Sequence, residues 1–230
     1  MLQQLKKEVC EANLALVRAG LVVETWGNVS AIDRDRGLMV IKPSGVPYSK
    51  MKPSHMVVVD LATSKTVEGQ LKPSSDTPTH LILYRAFKDI GGVAHTHSLY
   101  ATAWAQACRP VPAFGTTHAD HFHGAVPCTR QLRPSEIKSD YETNTGHVIV
   151  ETFKGRDPLD CPAVLVASHG PFAWGSTAAE AVRNACILEH VIRMAAETLR
   201  VSPASKGIQT HLLNKHFRRK HGPGAYYGQR

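Results

Sequence analysis

His95 and His97 stand two residues apart in Gly91-Gly92-Val93-Ala94-His95-Thr96-His97-Ser98. On a β-strand, side chains at i and i+2 leave the same face, so both imidazoles project side by side at a spacing that suits one metal ion. Imidazole binds zinc and other first-row divalent ions, and a catalytic centre needs a third ligand with one position left open. Two unrelated histidines near a strand end would give the same pattern, so the rest of the chain must decide. The i, i+2 spacing recurs at His121 and His123, which with His118 form a rival cluster in GTTHADHFHG, residues 115–124. His169, in Ser168-His169-Gly170-Pro171, follows an apolar run where the chain turns. It is the best candidate for a third ligand, with a core or capping histidine as the alternative.

Three small polar loops suggest a second chemistry: WGNVS at 26–30, KPSG at 42–45 and KPSSD at 72–76. Backbone N–H groups in glycine-containing turns and at helix N-termini attract anions, and lysines beside Ser/Gly loops suit a phosphate. No GxxxxGK run is present, which argues against a nucleotide P-loop. Singly, each loop reads as a turn; together they suggest a phosphate site.

Several elements must position these groups. Leu2, Leu5, Val9, Ala12 and Leu16 predict an amphipathic helix ended by Gly20. Short β-compatible runs follow at 21–24, 38–42 and 56–61, and 63–65 joins a hairpin into 66–68. Thr77 as N-cap with Pro78 behind it predicts a helix sharing His80, Leu83, Tyr84 and Phe87 on one face. Ser98 is placed to cap the next helix, whose face is Ala101, Trp104, Ala105 and Cys108. Residues 132–146 are polar and turn-rich, with a helix start at Pro134, and 147–153 and 163–167 read as buried strands. Thr177 to Glu180 forms a capping box opening a long helix over 181–199.

Composition narrows the class. With 230 residues, 43% of them hydrophobic, the chain can bury a substantial core, and we expect one domain over 1–230. The first twelve residues carry Lys6, Lys7, Glu8 and Glu11 and lack the apolar centre of a signal peptide. No run is apolar for the length of a membrane span. Five dispersed cysteines without CxxC spacing fit reduced thiols in the cytoplasm. The net charge of +8 suits either nucleic acid or a small anionic substrate. Much of it lies in Lys215-His216-Phe217-Arg218-Arg219-Lys220-His221, without any nucleic-acid-binding signature. We therefore expect no nucleic acid or membrane partner.

Beyond these readings, the chain resembles the bacterial L-ribulose-5-phosphate 4-epimerase family of the class II, metal-dependent aldolase superfamily. The resemblance runs through TWGNVSA (25–31), IKPSGV (41–46), KPSSDTPTH (72–80), HTHS (95–98), GTTHAD (115–120), SHGPFAWG (168–175) and KHGPGAYYGQ (220–229). It implies an α/β fold in three layers, α/β/α, around a central, mainly antiparallel sheet, assembled as a cyclic homotetramer. It implies one Zn²⁺ per subunit, or Mn²⁺ or another divalent ion, on His95, His97 and His169, with Asp76 at or near the metal. Phosphate contacts would come from Gly27, Asn28, Ser44, Gly45, Ser74 and Ser75, helped by Lys42 and Thr116. Asp120 and Tyr227 would be the acid/base pair, with Tyr227 and His216 supplied by a neighbouring subunit. Members of the family carry aromatic residues at the positions of His121 and His123, which we read as surface or substrate-rim substitutions.

The implied reaction interconverts L-ribulose 5-phosphate and D-xylulose 5-phosphate in sugar catabolism by retro-aldol cleavage and re-addition. A class II sugar-phosphate aldolase is the alternative; Asp76 speaks against it, because aldolase relatives carry a glutamate near that position. A non-catalytic relative would be expected to have lost ligands, and none is missing here.

Overall fold

The computed structural model describes residues 2–227, so Gly228 and Gln229 of the tail motif lie outside the described residues. Seven strands, β1 (Asn28–Asp33), β2 (Leu38–Ile41), β3 (Val57–Asp60), β4 (Thr66–Glu68), β5 (Gly92–His95), β6 (Ala163–Val166) and β7 (Gly170–Gly175), form one sheet. Every pairing is antiparallel, in the order β4-β3-β2-β1-β5-β7-β6. The helices are α1 (Gln3–Arg18), α2 (Thr77–Ala86), α3 (Leu99–Gln106), α4 (Thr116–Ala119), α5 (Pro134–Lys138), α6 (Tyr141–Thr152), α7 (Ala178–Val201) and α8 (Thr210–Lys220).

Alternation along β2 shows how the layers arise. Leu38 and Val40 join the apolar cluster of α1, α3 and α7, whereas Met39 and Ile41 join that of α2 and α6. Both faces of the sheet are thus covered, giving the expected α/β/α layering. α1 ends as its sequence predicts. Gly20 takes φ +68°, and the Gly20 and Leu21 amides donate to the Val17 and Leu16 carbonyls, which closes the helix.

Other expectations fail locally. Residues 21–24 form no strand, and β1 begins only at Asn28, inside the segment read as a polar loop. The Asn13 side chain on α1 holds both the N–H (2.9 Å) and C=O (3.1 Å) of Val29, which fixes where the sheet starts. Residues 147–153 close α6 rather than forming a strand. Thr145, Gly146, Val148 and Ile149 are buried on one helical face, and a Cβ on Gly146 would lie 2.7 Å from the Ile82 Cβ. That close contact with α2 overrides the β-preference of Val148-Ile149-Val150.

Caps also shift. Asp76, not Thr77, is the N-cap residue of α2, while the Thr77 hydroxyl donates to the Ser74 carbonyl at 2.6 Å. Ser98 occupies the N-cap of α3 without a side-chain bond. The Glu189 carboxylate on α7 accepts instead from the Tyr100 and Ala101 amides, at 2.8 and 2.9 Å. Thr177 caps α7, accepting from the Glu180 amide at 3.1 Å, but the expected capping box does not close, because the Glu180 carboxylate accepts from the Ser176 amide at 2.7 Å instead. Among the described residues, no helix is long and apolar enough to cross a membrane.

Candidate active site

β5 ends on His95, and its partner β7 is tied to β6 by the hairpin turn Ala167-Ser168-His169. Ser168 takes φ +61° in this turn, and the His169 amide donates to the Val166 carbonyl at 3.0 Å. The turn returns His169 to the end of β5, just past which His97 stands. Ring centroids of the three histidines lie 4.8–5.1 Å apart. One nitrogen from each falls within 4.8 Å of the others, and no other metal-type group of three converges among the described residues.

The donor set fits a divalent ion. His95 stacks on Phe172 at 4.2 Å, and its Nδ1–H donates to the Pro171 carbonyl at 2.9 Å, which makes Nε2 the lone-pair nitrogen, 3.1 Å from His97 Nε2. Such an outer hydrogen bond fixes the tautomer a ligand needs. Burial, followed by the neighbouring His95 and His97, pushes His169 down to about 3. His97 is lowered by burial and by His95. Neutral imidazoles at neutral pH are the metal-binding form. Asp76 lines the same cleft. Burial pushes its carboxyl up, but the nearby His95 and His80, and a 2.6 Å hydrogen bond from the Asn28 amide, bring it below the ordinary value.

The polar loops meet this group of histidines. The two Lys-Pro-Ser segments pair with each other, the Ser44 amide donating to the Lys72 carbonyl and the Ser74 amide to the Lys42 carbonyl, both at 2.9 Å. Lys42 is buried beneath the loop, its Nζ donating to the Thr25 carbonyl (3.1 Å) and standing 4.8 Å from the centre of the Tyr48 ring. Burial pushes the Lys42 ammonium down to about 8, partly offset by Asp76. Gly27 is required here. It takes φ +95°, and a Cβ would lie 2.8 Å from the His95 carbonyl oxygen. Gly27, Asn28, Lys42, Ser44, Gly45, Ser74, Ser75 and Asp76 share with the three histidines a cleft of about 570 Å³.

The remaining expected residues lie elsewhere. Thr116, Asp120, His216 and Tyr227 are absent from that cleft and belong to a cluster built by α4, α8 and the tail. Asp120 accepts from His216 Nδ1 (3.0 Å), Arg219 Nε (2.9 Å) and Arg219 Nη2 (2.6 Å). Tyr227 lines a separate cleft of about 570 Å³ with Asp89, His121, Arg183 and Lys220. One chain therefore presents the metal centre and the Asp120–Tyr227 pair as two separate surfaces.

The rival histidine cluster does not form. Residues 120–124 turn rather than extend, so the strand spacing of His121 and His123 has no strand to act on. His118 Nε2–H donates to the Gly124 carbonyl (2.7 Å), and His123 bonds Asn214 (2.8 Å) beside the Phe217 ring. His121 is half-buried, and burial with the Lys220 and Arg183 charges lowers it to about 4.

Sequence reasoning missed Tyr141 and Glu142, which open α6 on the rim of the metal cleft. The Tyr141 hydroxyl lies 3.4 Å from His169 Nδ1. No residue pattern in the polar stretch around them pointed to this. The repeated Lys-Pro-Ser, by contrast, was a visible sign that two loops pair.

Residues 7–196 match the Class II Aldolase and Adducin N-terminal domain family. The chain belongs to that family. It is 57% identical over 229 residues to the L-ribulose-5-phosphate 4-epimerase UlaF of Salmonella paratyphi B (strain ATCC BAA-1250 / SPB7), covering 100% of both chains. Among solved structures it is similar to an L-fuculose 1-phosphate aldolase, at 26% identity and TM-score 0.73, over 93% of this chain and 94% of that one. It is also similar to YgbL of Klebsiella pneumoniae, a putative aldolase/epimerase/decarboxylase, at 25% identity and TM-score 0.72, over 93% and 97%. Within this class II aldolase fold, three histidines that could hold a metal ion converge at the end of β5 and the β6–β7 turn.

Proposed function

We propose that the chain is a metal-dependent L-ribulose-5-phosphate 4-epimerase, interconverting that substrate with D-xylulose 5-phosphate. The observation that carries this reading is the 57% identity, along the whole chain, to a relative of that name. The cleft is consistent with it, because a phosphate pocket and a three-histidine centre open into one space.

The C4–H of a 2-ketopentose phosphate is not adjacent to the carbonyl, so its removal gives no stabilised carbanion. Breaking C3–C4 instead leaves an enediolate and glycolaldehyde phosphate. Turning the aldehyde and re-forming the bond inverts C4. A divalent ion, which we take as one Zn²⁺ per subunit held by His95, His97 and His169 with Asp76 beside it, would supply Lewis-acid stabilisation of negative charge on the sugar oxygens. Gly27, Asn28, Ser44, Gly45, Ser74, Ser75 and Lys42 retain the phosphate while the aldehyde turns. The C4 hydroxyl proton leaves in cleavage and returns in addition, from opposite sides for the two epimers. Asp120 and Tyr227 are suited to that exchange, and general acid–base help of this kind is worth about 10²–10⁴-fold.

Because Asp120, Thr116, His216 and Tyr227 sit away from the metal cleft of their own chain, we take the working site to be shared between subunits of a homotetramer. A neighbour that brings Tyr227 then brings Asp120 with it, since Arg219 contacts both.

A coupled assay for D-xylulose 5-phosphate, starting from L-ribulose 5-phosphate, tests the function. Sustained accumulation of free glycolaldehyde phosphate without xylulose product would replace the epimerase with an aldolase.

A further inference from the structure

Arg219 stands in the last turn of α8, in a basic tail whose charge alone suggests a solvated surface. Its guanidinium instead forks across Asp120, Nε to Oδ1 at 2.9 Å and Nη2 to Oδ2 at 2.6 Å. The same guanidinium lies 4.4 Å from the centre of the Tyr227 ring. Its backbone carbonyl accepts from the Tyr226 and Tyr227 amides, at 3.0 and 2.9 Å. Arg219 thus touches both members of the acid/base pair, through its guanidinium and its backbone carbonyl.

We infer that Arg219 is a positioning residue, which fixes the plane of the Asp120 carboxylate and the place of the Tyr227 ring so that the two act as one unit. The inference rests on Asp120 and Tyr227 being the acid/base pair. A planar fork makes two parallel bonds to a carboxylate and so fixes its orientation, which a lysine's point charge does not. The ring contact is a cation–π arrangement, which favours one placement of an otherwise exposed tyrosine.

The other groups facing Asp120 are His216 Nδ1 at 3.0 Å, Lys220 Nζ at 3.4 Å, His221 Nε2, which donates to the Asp120 carbonyl at 3.0 Å, and His121 on its own turn. Burial alone would raise the Asp120 carboxyl. The hydrogen bonds from Arg219 and then His216, and the charges of Lys220 and Arg219, outweigh it and hold the group at about 2. Asp120 therefore meets the substrate as a carboxylate, ready to accept the C4 hydroxyl proton.

Four variants of the full-length protein test this: Arg219→Met, Arg219→Lys, Asp120→Asn and the Asp120→Asn/Arg219→Met double. Each is measured for kcat, KM, bound zinc and circular dichroism. Arg219→Met is expected to lower kcat about 10–100-fold, the scale of losing hydrogen bonds to a charged group, with zinc content unchanged. The acidic limb of its kcat/KM profile should move to higher pH. Arg219→Lys should recover only part of the loss. The double variant should be no slower than Asp120→Asn, because Arg219 acts through Asp120. Wild-type kcat in Arg219→Met, full recovery by lysine, or multiplicative losses in the double would each overturn the inference. Should Arg219→Met misfold, Arg219→Lys decides alone, with wild-type kcat counting against. If Asp120→Asn itself turns over normally, the acid/base reading fails and the role of Arg219 falls with it.

Discussion

Asn28 and His95 face each other directly as register partners across the β1–β5 ladder. The pairing puts the first residue of one strand opposite the first metal-type ligand of the other. From that position the Asn28 amide donates to Ser74 Oγ (3.1 Å) and to Asp76 Oδ2 (2.6 Å). One side chain thereby ties the second Lys-Pro-Ser loop, at Ser74, to the carboxylate beside the histidines.

Replacing Asn28 with alanine should therefore loosen both parts at once. The bond to the Asp76 carboxylate is of the charged class, worth about 1.5–3 kcal/mol. We expect KM for the sugar phosphate to rise about tenfold or more and thermal stability to fall by about 2–4 °C for each kcal/mol lost. Initial-rate kinetics and thermal unfolding measure the two effects. A stability loss with unchanged KM would reduce Asn28 to a brace of the sheet.

His97 is the exposed member of the triad, whereas His95 is buried against Phe172. His97→Asn should consequently cost metal binding rather than folding. Metal analysis should find one ion per subunit in the parent protein and substantially less in the variant, with turnover falling in parallel. His121→Ala and His123→Ala should leave the stoichiometry unchanged, since neither side chain points into a group of ligands. Two tightly bound ions in the parent would contradict this assignment.

The three-histidine group was legible in sequence because its parts are short-ranged, although His97 stands past the end of β5 and not on the strand that its spacing suggested. His95 and His97 need only a strand end, and His169 only a turn between two strands. The layering came from the family resemblance; apolar runs separated by turns marked only some of the strands and helices that build it. What failed depended on distant partners. Residues 147–153 have β-compatible side chains, but Gly146 against Ile82 makes them a helix. His121 and His123 have strand spacing in a segment that the α4 turn closes. Asp120 and Tyr227 were found by family resemblance, and their separation from the metal within one chain follows from how α8 docks on α4, which no local pattern encodes.

Tyr141 offers a test of the outer shell. Its hydroxyl, 3.4 Å from His169 Nδ1, is positioned to accept that N–H and leave Nε2 for the metal. α6 is anchored for the purpose, with the Thr79 hydroxyl on α2 donating to the Glu142 carbonyl at 2.6 Å. Tyr141→Phe keeps the ring and removes only the partner. Outer-shell losses typically weaken metal binding about 10–100-fold. Chelator-competition titration should show that weakening, while unfolding of the metal-free protein stays within about 0.5 kcal/mol of the parent. Equal zinc affinity in both proteins would rule the contact out as a tautomer lock.

Lys42 should make substrate binding and folding respond to pH in opposite directions. Burial lowers its ammonium from 10.5 to about 8, with Asp76 opposing part of the shift. Below pH 8 the charge is present for the phosphate, and above it the charge is lost, so KM should rise as pH passes through 8. Folding follows the reverse sign. Between about pH 8 and the unfolded value of 10.5, the unfolded chain holds the proton that the folded chain has released. Stability from this group therefore increases with pH across that window. Lys42→Met should show a raised KM that no longer changes near pH 8, together with a flatter pH dependence of denaturant stability between 8 and 10.5. A parent KM that is level from pH 7 to 9 would mean that a bound phosphate holds Lys42 charged throughout, or that the lysine does not meet the phosphate. Titrating inorganic phosphate against parent and variant at pH 7 separates those two, because only the first predicts weaker phosphate binding by Lys42→Met.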